Sequence, residues 1–232
     1  EEPRLAELRS RYRLDEVVAN AGSELESMVL LRNWARSQFR RMDYQPKMEN
    51  FDALAILTRR YRNVTGAPHN DTQFRPCHFF PLLYSQVLLS MGHNVRLVQI
   101  ANPPDRNTTG HGMTEVWSNQ YRKWVTMDAD LNLHYEKDGI PLNLLEVHNE
   151  RYANEPSRVT IVRGVHTAED YDPTKVVDLQ DMIRYHSYFQ VIDLRNDWMT
   201  NHYFRGHPKR SDWASLQWVD EKLPPVLSLK QK

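Results

Sequence analysis

The chain has 232 residues, 40% hydrophobic and 26% charged, a composition that belongs to folded globular proteins and excludes wholesale disorder. Thirty basic residues balance thirty acidic ones, which removes the electrostatic case for nucleic acid or an anionic membrane as partner. No apolar run approaches the roughly 18 residues of a membrane helix, and one cysteine excludes an internal disulfide framework or a zinc site built mainly from cysteines.

The sequence opens on Glu-Glu-Pro, with neither a positive n-region nor an apolar h-region. The expectation is a mature fragment or an excised piece whose targeting signal has been cut away, from an extracytoplasmic or secreted parent.

Residues 3–20 are charge-rich with scattered Leu5, Leu8, Leu14, Val17 and Val18, and predict a surface helix with a break. Ser23-Glu-Leu-Glu26 is a capping box, in which serine and glutamate satisfy each other's free amides. The helix it opens should run to about Met42, with Leu25, Met28, Leu31, Trp34, Ala35 and Phe39 near helical spacing as core positions. A polar loop with Pro46 leads to a second short helix over 51–62, with Phe51, Leu54, Leu57 and Tyr61 along one face. Residues 63–73 crowd Gly66, Pro68, Asn70 and Asp71 together and read as loop.

The only cysteine, Cys77, precedes an apolar helix carrying Phe80, Leu83, Val87, Leu88 and Met91, which should bury one face and end at Gly92 as C-cap. Pro81 cannot donate to the Cys77 carbonyl, so regular helix should begin at His78 or later. That leaves Cys77 at the helix entrance, where free amides and the dipole favour thiolate. Residues 94–100 predict a strand, followed by a polar loop to Gly110.

His111–Trp117 and Tyr121–Asp128 predict two hairpin strands turning at Asn119-Gln120. A two-residue loop sets His111 directly opposite Asp128 on one face, with Asp130 as the diagonal neighbour. A slip by one residue would part the two groups. Beyond Leu131 the pattern thins. Residues 139–149 suggest a loop and short helix, and Val159–Val162 a strand. Residues 178–194 mix helical and extended signals around Tyr185, Tyr188 and Phe189. Trp198, Trp213 and Trp218 then stand among prolines and charges, and Leu223-Pro-Pro-Val begins a linker toward a further domain.

A thiol, an imidazole and a carboxylate in this order have the residue types of a nucleophile, its base and the group that orients the base. Taken singly, a cysteine on an apolar helix is most often a small core residue, and a strand histidine is usually structural; the combination carries the chemical reading. Asp128, Asp130 and Glu115 also make a carboxylate set of the kind used on glycosidic bonds, against the plainer reading of an ordinary strand end. Ten histidines show no His-Glu-x-x-His or His-x-His spacing, so no metal site is expected. The aromatics Trp117 and Trp124, with Glu115 and Asp130, are candidates for lining a cleft.

Three blocks together resemble the transglutaminase-like superfamily. Arg75-Pro-Cys77-His-Phe-Phe before a helix ending in Met91-Gly is similar to its cysteine block, Gly110-His111-Gly-Met-Thr-Glu-Val-Trp117 to its histidine block, and Lys123-Trp-Val-Thr-Met-Asp128 to its aspartate block. The resemblance covers roughly residues 20–135. It departs from the family at Pro76, where small residues are common, and at Pro81 in the first helical turn.

The resemblance implies an α+β fold with a papain-like, transglutaminase-like core, N-terminal helices packed on an antiparallel β-sheet, and a C-terminal irregular extension. The expected domains are a catalytic core over 1–140 and an extension packed on it over 141–232. It implies Cys77 as nucleophile, His111 as base then acid and Asp128 as orienter, without a cofactor. Gln73 is a candidate oxyanion donor beside the cysteine amide, on chemistry type and proximity in sequence. The expected substrate is an amide of a peptide, protein or glycopeptide, taken through an acyl-thioester, with hydrolysis ahead of cross-linking. The rival from another class is a catalytically inactive binding or scaffolding module of a larger, carbohydrate-related protein.

Overall fold

The computed structural model describes residues 3–38, 40–41, 52–58, 74–75, 79–101, 111–152, 158–165 and 188–192. The first helices follow from local chemistry. Helix α1 (Pro3–Arg11) starts on a proline, whose missing N–H costs nothing in a first turn. It breaks where Arg13 takes a left-handed φ of 51°, and α2 (Leu14–Val17) follows. The pair is not merely a surface element: Leu8 and Leu14 are fully buried in the main core.

Helix α3 (Glu24–Ser37) opens on Ser23, whose hydroxyl accepts from the Glu26 amide at 3.1 Å. The Glu26 carboxylate reaches back one residue further than a capping box requires, to the Gly22 amide at 2.7 Å. The two-residue strand β1 (Arg40–Arg41) pairs in parallel with β2 (Phe74–Arg75). Between them α4 (Ala53–Thr58) is capped by Asp52, which accepts from the Ala55 amide at 3.0 Å and also binds Arg4 of α1. Phe51 and Tyr61, which the sequence puts on one face of this helix, lie outside the described residues.

Helix α5 (Phe79–Ser90) corrects one expectation. Its stripe predicts one buried face, yet every residue from Phe79 to Leu88 is buried. The reason is position, since α1, α3 and α4 pack on it from one side and the sheet from the other. Its polar side chains are satisfied internally. Gln86 Oε1 accepts from the Ala53 amide at 2.7 Å, and the Ser85 and Thr114 hydroxyls bond at 3.0 Å. Pro81 falls in the first turn, where its missing N–H has no intrahelical partner to lose. The end is as expected: Gly92 has φ 87°, with Gly92 N donating to Leu89 O and His93 N to Leu88 O, a Schellman motif.

Strands β3 (Val95–Ala101), β4 (His111–Ser118), β5 (Lys123–Asp128) and β6 (Leu133–Lys137) form an antiparallel meander. Strand β7 (Ile140–Pro141), helix α6 (Leu144–Tyr152), β8 (Val159–Arg163) and β9 (Tyr188–Ile192) complete the described chain. β9 pairs with β3 at one edge and β8 with β6 at the other, while β5 and β7 share the second edge of β6. The protein is therefore α+β, with helices packed on an antiparallel sheet. Val95, Leu97, Val116, Val125 and Met127 face α1–α5 in the main core, and Leu133, Tyr135 and Val147 form a second cluster under α6.

The β4–β5 turn also differs from expectation. Trp117 pairs with Trp124 and Ser118 with Lys123, so the loop spans four residues, 119–122, with Arg122 at φ 54°. Glu24 is the cause. Its carboxylate accepts from Ser118 Oγ at 2.7 Å, Asn119 N at 3.1 Å, Asn119 Nδ2 at 2.9 Å and Gln120 N at 2.8 Å. Burial would raise the Glu24 carboxyl, but these donors outweigh it and hold it below its ordinary range. The ladder is thus shifted by two residues, and His111 and Asp128 are not a directly opposed pair, His111 standing beyond the last one, Thr114–Met127. A shift of two preserves the face of every side chain, which one residue would not.

Candidate active site

His111 is the first residue of β4, and its neighbour Gly112 faces the start of α5. A Cβ added at Gly112 would lie 3.4 Å from Pro81 Cγ, and Thr114 Oγ1 donates to Pro81 O at 3.2 Å. The first turn of α5 therefore rests on the opening residues of β4. His111 points to the other face, with 18% of its side chain exposed.

Asp128, at the end of β5, is fully buried and has two engagements. Its Oδ2 lies 2.6 Å from His111 Nε2, and its Oδ1 accepts from the Leu131 amide at 2.8 Å, closing the turn that leads into β6. One carboxylate oxygen thus shapes the backbone and the other holds the ring. Complete burial would raise this carboxyl, but His111, the Leu131 amide and the charge of Arg32 outweigh burial and hold it below the ordinary range. An ionised carboxylate only accepts, so His111 Nε2–H is the donor and neutral His111 keeps its lone pair on Nδ1. Asp130 is also fully buried, with Oδ2 4.0 Å from that Nδ1.

The other candidates are elsewhere. Glu115 is buried and accepts from Arg96 Nε at 2.6 Å, Thr126 Oγ1 at 3.0 Å and the Leu144 amide at 2.7 Å, tying β3, β4, β5 and α6 together. Trp117 and Trp124 form an edge-to-face pair at 5.7 Å, with the Arg96 guanidinium 4.4 Å from the Trp124 ring centre. At the rise of a strand they stand about 20 Å along β4 from His111. Cys77 and Gln73 lie outside the described residues, as do Tyr185, Trp198, Trp213 and Trp218.

Sequence reasoning missed a buried polar group behind Asp128. Arg32 of α3 is fully buried, donating from Nε to Asn132 Oδ1 at 3.0 Å and lying 2.9 Å through Nη1 from His134 Nδ1. His134 Nε2 lies 2.9 Å from Glu136 Oε1. Burial first, and the guanidinium second, lower His134 to about 4, so it is neutral at pH 7, accepting at Nδ1 and donating at Nε2. The signal was present: Arg32 stands one turn after Met28 on the stripe assigned to the core.

No family model matches the chain, and no curated protein matches it. Among solved structures it is similar to a candidate cysteine protease from Cytophaga hutchinsonii, with 10% identity and a TM-score of 0.41. The match covers 55% of this chain and 41% of that one, so the chain spans less than half of that protein's length. A likeness this distant carries no functional argument, and the function has to be read from the geometry around His111 and Asp128.

Proposed function

We propose that the protein is a transglutaminase-like thiol enzyme with a papain-like core, acting on amide bonds of a peptide, protein or glycopeptide substrate. The observation that carries this is the 2.6 Å contact from His111 Nε2 to a fully buried Asp128 carboxylate. It is the contact a base needs to its orienting group, and it leaves Nδ1 as the basic atom. Cys77 is two positions before Phe79 in the sequence, which keeps their Cα atoms at most about 7 Å apart. The α5 turn that begins at Phe79 rests against β4 beside His111.

In this reading His111 Nδ1 takes the Cys77 proton, and the thiolate attacks the substrate carbonyl. The imidazolium returns the proton to the leaving amine as the C–N bond breaks, giving a thioester and a free amine. Water, deprotonated by the same nitrogen, then releases the acid and the thiol. Gln73 and the Cys77 amide are the proposed oxyanion donors. Hydrolysis is kept ahead of cross-linking, since among the described residues none marks a second site for an amine.

The test exploits the single cysteine. Iodoacetamide labelling followed by intact mass across pH should show an inflection for Cys77 below pH 7. An inflection near the ordinary thiol value of about 8.5 would remove the catalytic reading. Cys77→Ala should then abolish amide cleavage while leaving ligand binding in place; unchanged function would identify a binding module instead.

A further inference from the structure

A carboxylate taken wholly out of water tends to recover its proton, and two hydrogen bonds are modest compensation for that loss of solvation. Asp128 is in this position, being fully buried with the His111 ring and the Leu131 amide as its hydrogen-bond partners. His111 contributes a full charge only when protonated. While the imidazole is neutral and ready to act as a base, the compensating charge must come from elsewhere.

Arg32 is placed to supply it. Its contacts bracket Asp128 along the chain: Nη1 lies 3.2 Å from Met127 Sδ and 2.9 Å from His134 Nδ1, and Nε donates to Asn132 at the far end of the turn. Met127 and His134 are cross-strand partners on the helix-facing side of the sheet, while Asp128 points to the other side. The Arg32 partners are an amide, a thioether and a neutral imidazole, and Nη2 has no hydrogen-bond partner among the described residues. None of these partners is a carboxylate that would consume the charge. Of the ionisable groups in this part of the core, Tyr84 on α5 and Asp128 itself act on the guanidinium by their charge, and His134, its direct neighbour, leads on to Glu136 along β6. A guanidinium with no water around it acts at longer range than a surface charge.

We propose that Arg32 is a positioning residue for this pair: from the opposite face of the sheet its buried guanidinium keeps Asp128 ionised, and the ionised carboxylate keeps neutral His111 in the Nε2–H tautomer. That Nδ1 then serves a thiol rests on the function proposed above; the electrostatic link between Arg32, Asp128 and His111 does not.

The experiment reads the tautomer directly. The full chain is labelled with nitrogen-15 histidine, and the His111 signals are identified by their loss in His111→Gln. Wild type and Arg32→Lys should show the Nε2–H form at neutral pH, because both carry the charge. Arg32→Met should shift His111 toward the Nδ1–H form, as Asp128 regains a proton and donates it to Nε2. A folded Arg32→Met protein that keeps the wild-type tautomer would overturn the proposal.

A second arm does not depend on how Arg32→Met folds. In His111→Gln, carbon-13 detection should find the Asp128 carboxyl still ionised at neutral pH, held by Arg32 and the Leu131 amide without any charge from His111. Titration of that carboxyl near neutrality would overturn the proposal equally. Since neither readout uses Cys77, an inactive protein with the expected tautomers refutes only the enzyme reading. Amide cleavage with an unmoved tautomer refutes only this one.

Discussion

Asp128→Asn is the sharpest perturbation of the site, because asparagine can replace one of the two contacts and inverts the other. Its amide oxygen can still accept from Leu131 N, which Asp128 Oδ1 holds at 2.8 Å. Its amide nitrogen would then stand where Oδ2 lies 2.6 Å from His111 Nε2, presenting a donor to a donor. The imidazole must move its proton to Nδ1, the nitrogen that should face the thiol.

Loss of the carboxylate also lowers the imidazolium pKa by about one to three units. A Cys77 thiolate paired with imidazolium is expected within a range of about 3.5 to 7.5; we take about 5.5. At pH 5.5 it is then half ionised, against about one part in a thousand for a free thiol at about 8.5, a gain of roughly 500-fold. Lower intrinsic nucleophilicity returns about 20-fold of this, leaving alkylation roughly 20-fold faster than for a free thiol. In Asp128→Asn the inflection should rise by about one to three units and the rate at pH 5.5 fall roughly 2- to 20-fold. Turnover on an amide should fall by about 10⁴, the cost of the wrong tautomer in an acyl-transfer triad. The assay is iodoacetamide labelling across pH on protein shown to be folded by circular dichroism. A folded variant with the wild-type inflection refutes the reasoning, since the carboxylate would then have no influence on the thiol.

Three other outcomes test the scaffold. Glu24→Ala removes the acceptor of four hydrogen bonds in the β4–β5 turn, so urea denaturation should report a loss of about 1–3 kcal/mol; a change below about 0.5 kcal/mol would mean the turn holds itself. Because the Glu24 carboxyl is lowered on folding, its contribution is present above the unfolded value of 4.5 and fades as pH falls through the folded one. In Gly164→Ala the new Cβ would lie 2.1 Å from Asn33 Oδ1 and 2.3 Å from Asn132 Nδ2, so overpacking should lower stability by about 1–3 kcal/mol, and a neutral melting temperature would contradict it. His134 drops from 6.5 to about 4 on folding, so below pH 6.5 the unfolded chain binds the extra proton and stability declines toward pH 4, by roughly 3 kcal/mol in all. Denaturation curves from pH 7 to 4 should lose this limb in His134→Gln, and an unchanged slope would assign it to another group.

What was legible in the sequence was local. The Ser23 cap, the Gly92 stop, the strand that starts at His111, the one that ends at Asp128 and the face these two residues share all come from short-range pattern and period. What was hidden depended on partners far along the chain. Glu24 reads as an ordinary first-turn glutamate until the turn 95 positions away supplies its donors, and that pairing stretched the hairpin loop from two residues to four. Arg32 stands on the core stripe one turn after Met28, but the partners that accommodate a buried arginine there, Asn132 and His134, are 100 and 102 positions on. Helix α5 shows a one-sided stripe in sequence, yet structures on both sides of it bury the remainder.

The two carboxylates beside His111 decide between chemistries for the same cluster. A glycoside-cleaving pair must present both carboxyl groups to the sugar, one as acid and one as nucleophile or base, about 5–9.5 Å apart. Here Asp128 and Asp130 are both at zero exposure, and both lie against one imidazole, at 2.6 Å from Nε2 and 4.0 Å from Nδ1. Neither carboxylate reaches a surface on which a sugar could bind, and Glu115 is equally buried under Arg96, Thr126 and Leu144. The accessible member of the trio is the imidazole, with 18% of its side chain exposed. In the proposed reading, chemistry at this place passes through His111, with the acids acting on it rather than on a substrate. An imidazole so held, at the end of a strand beside the turn that comes after Cys77 in sequence, favours the thiol reading over the carbohydrate one.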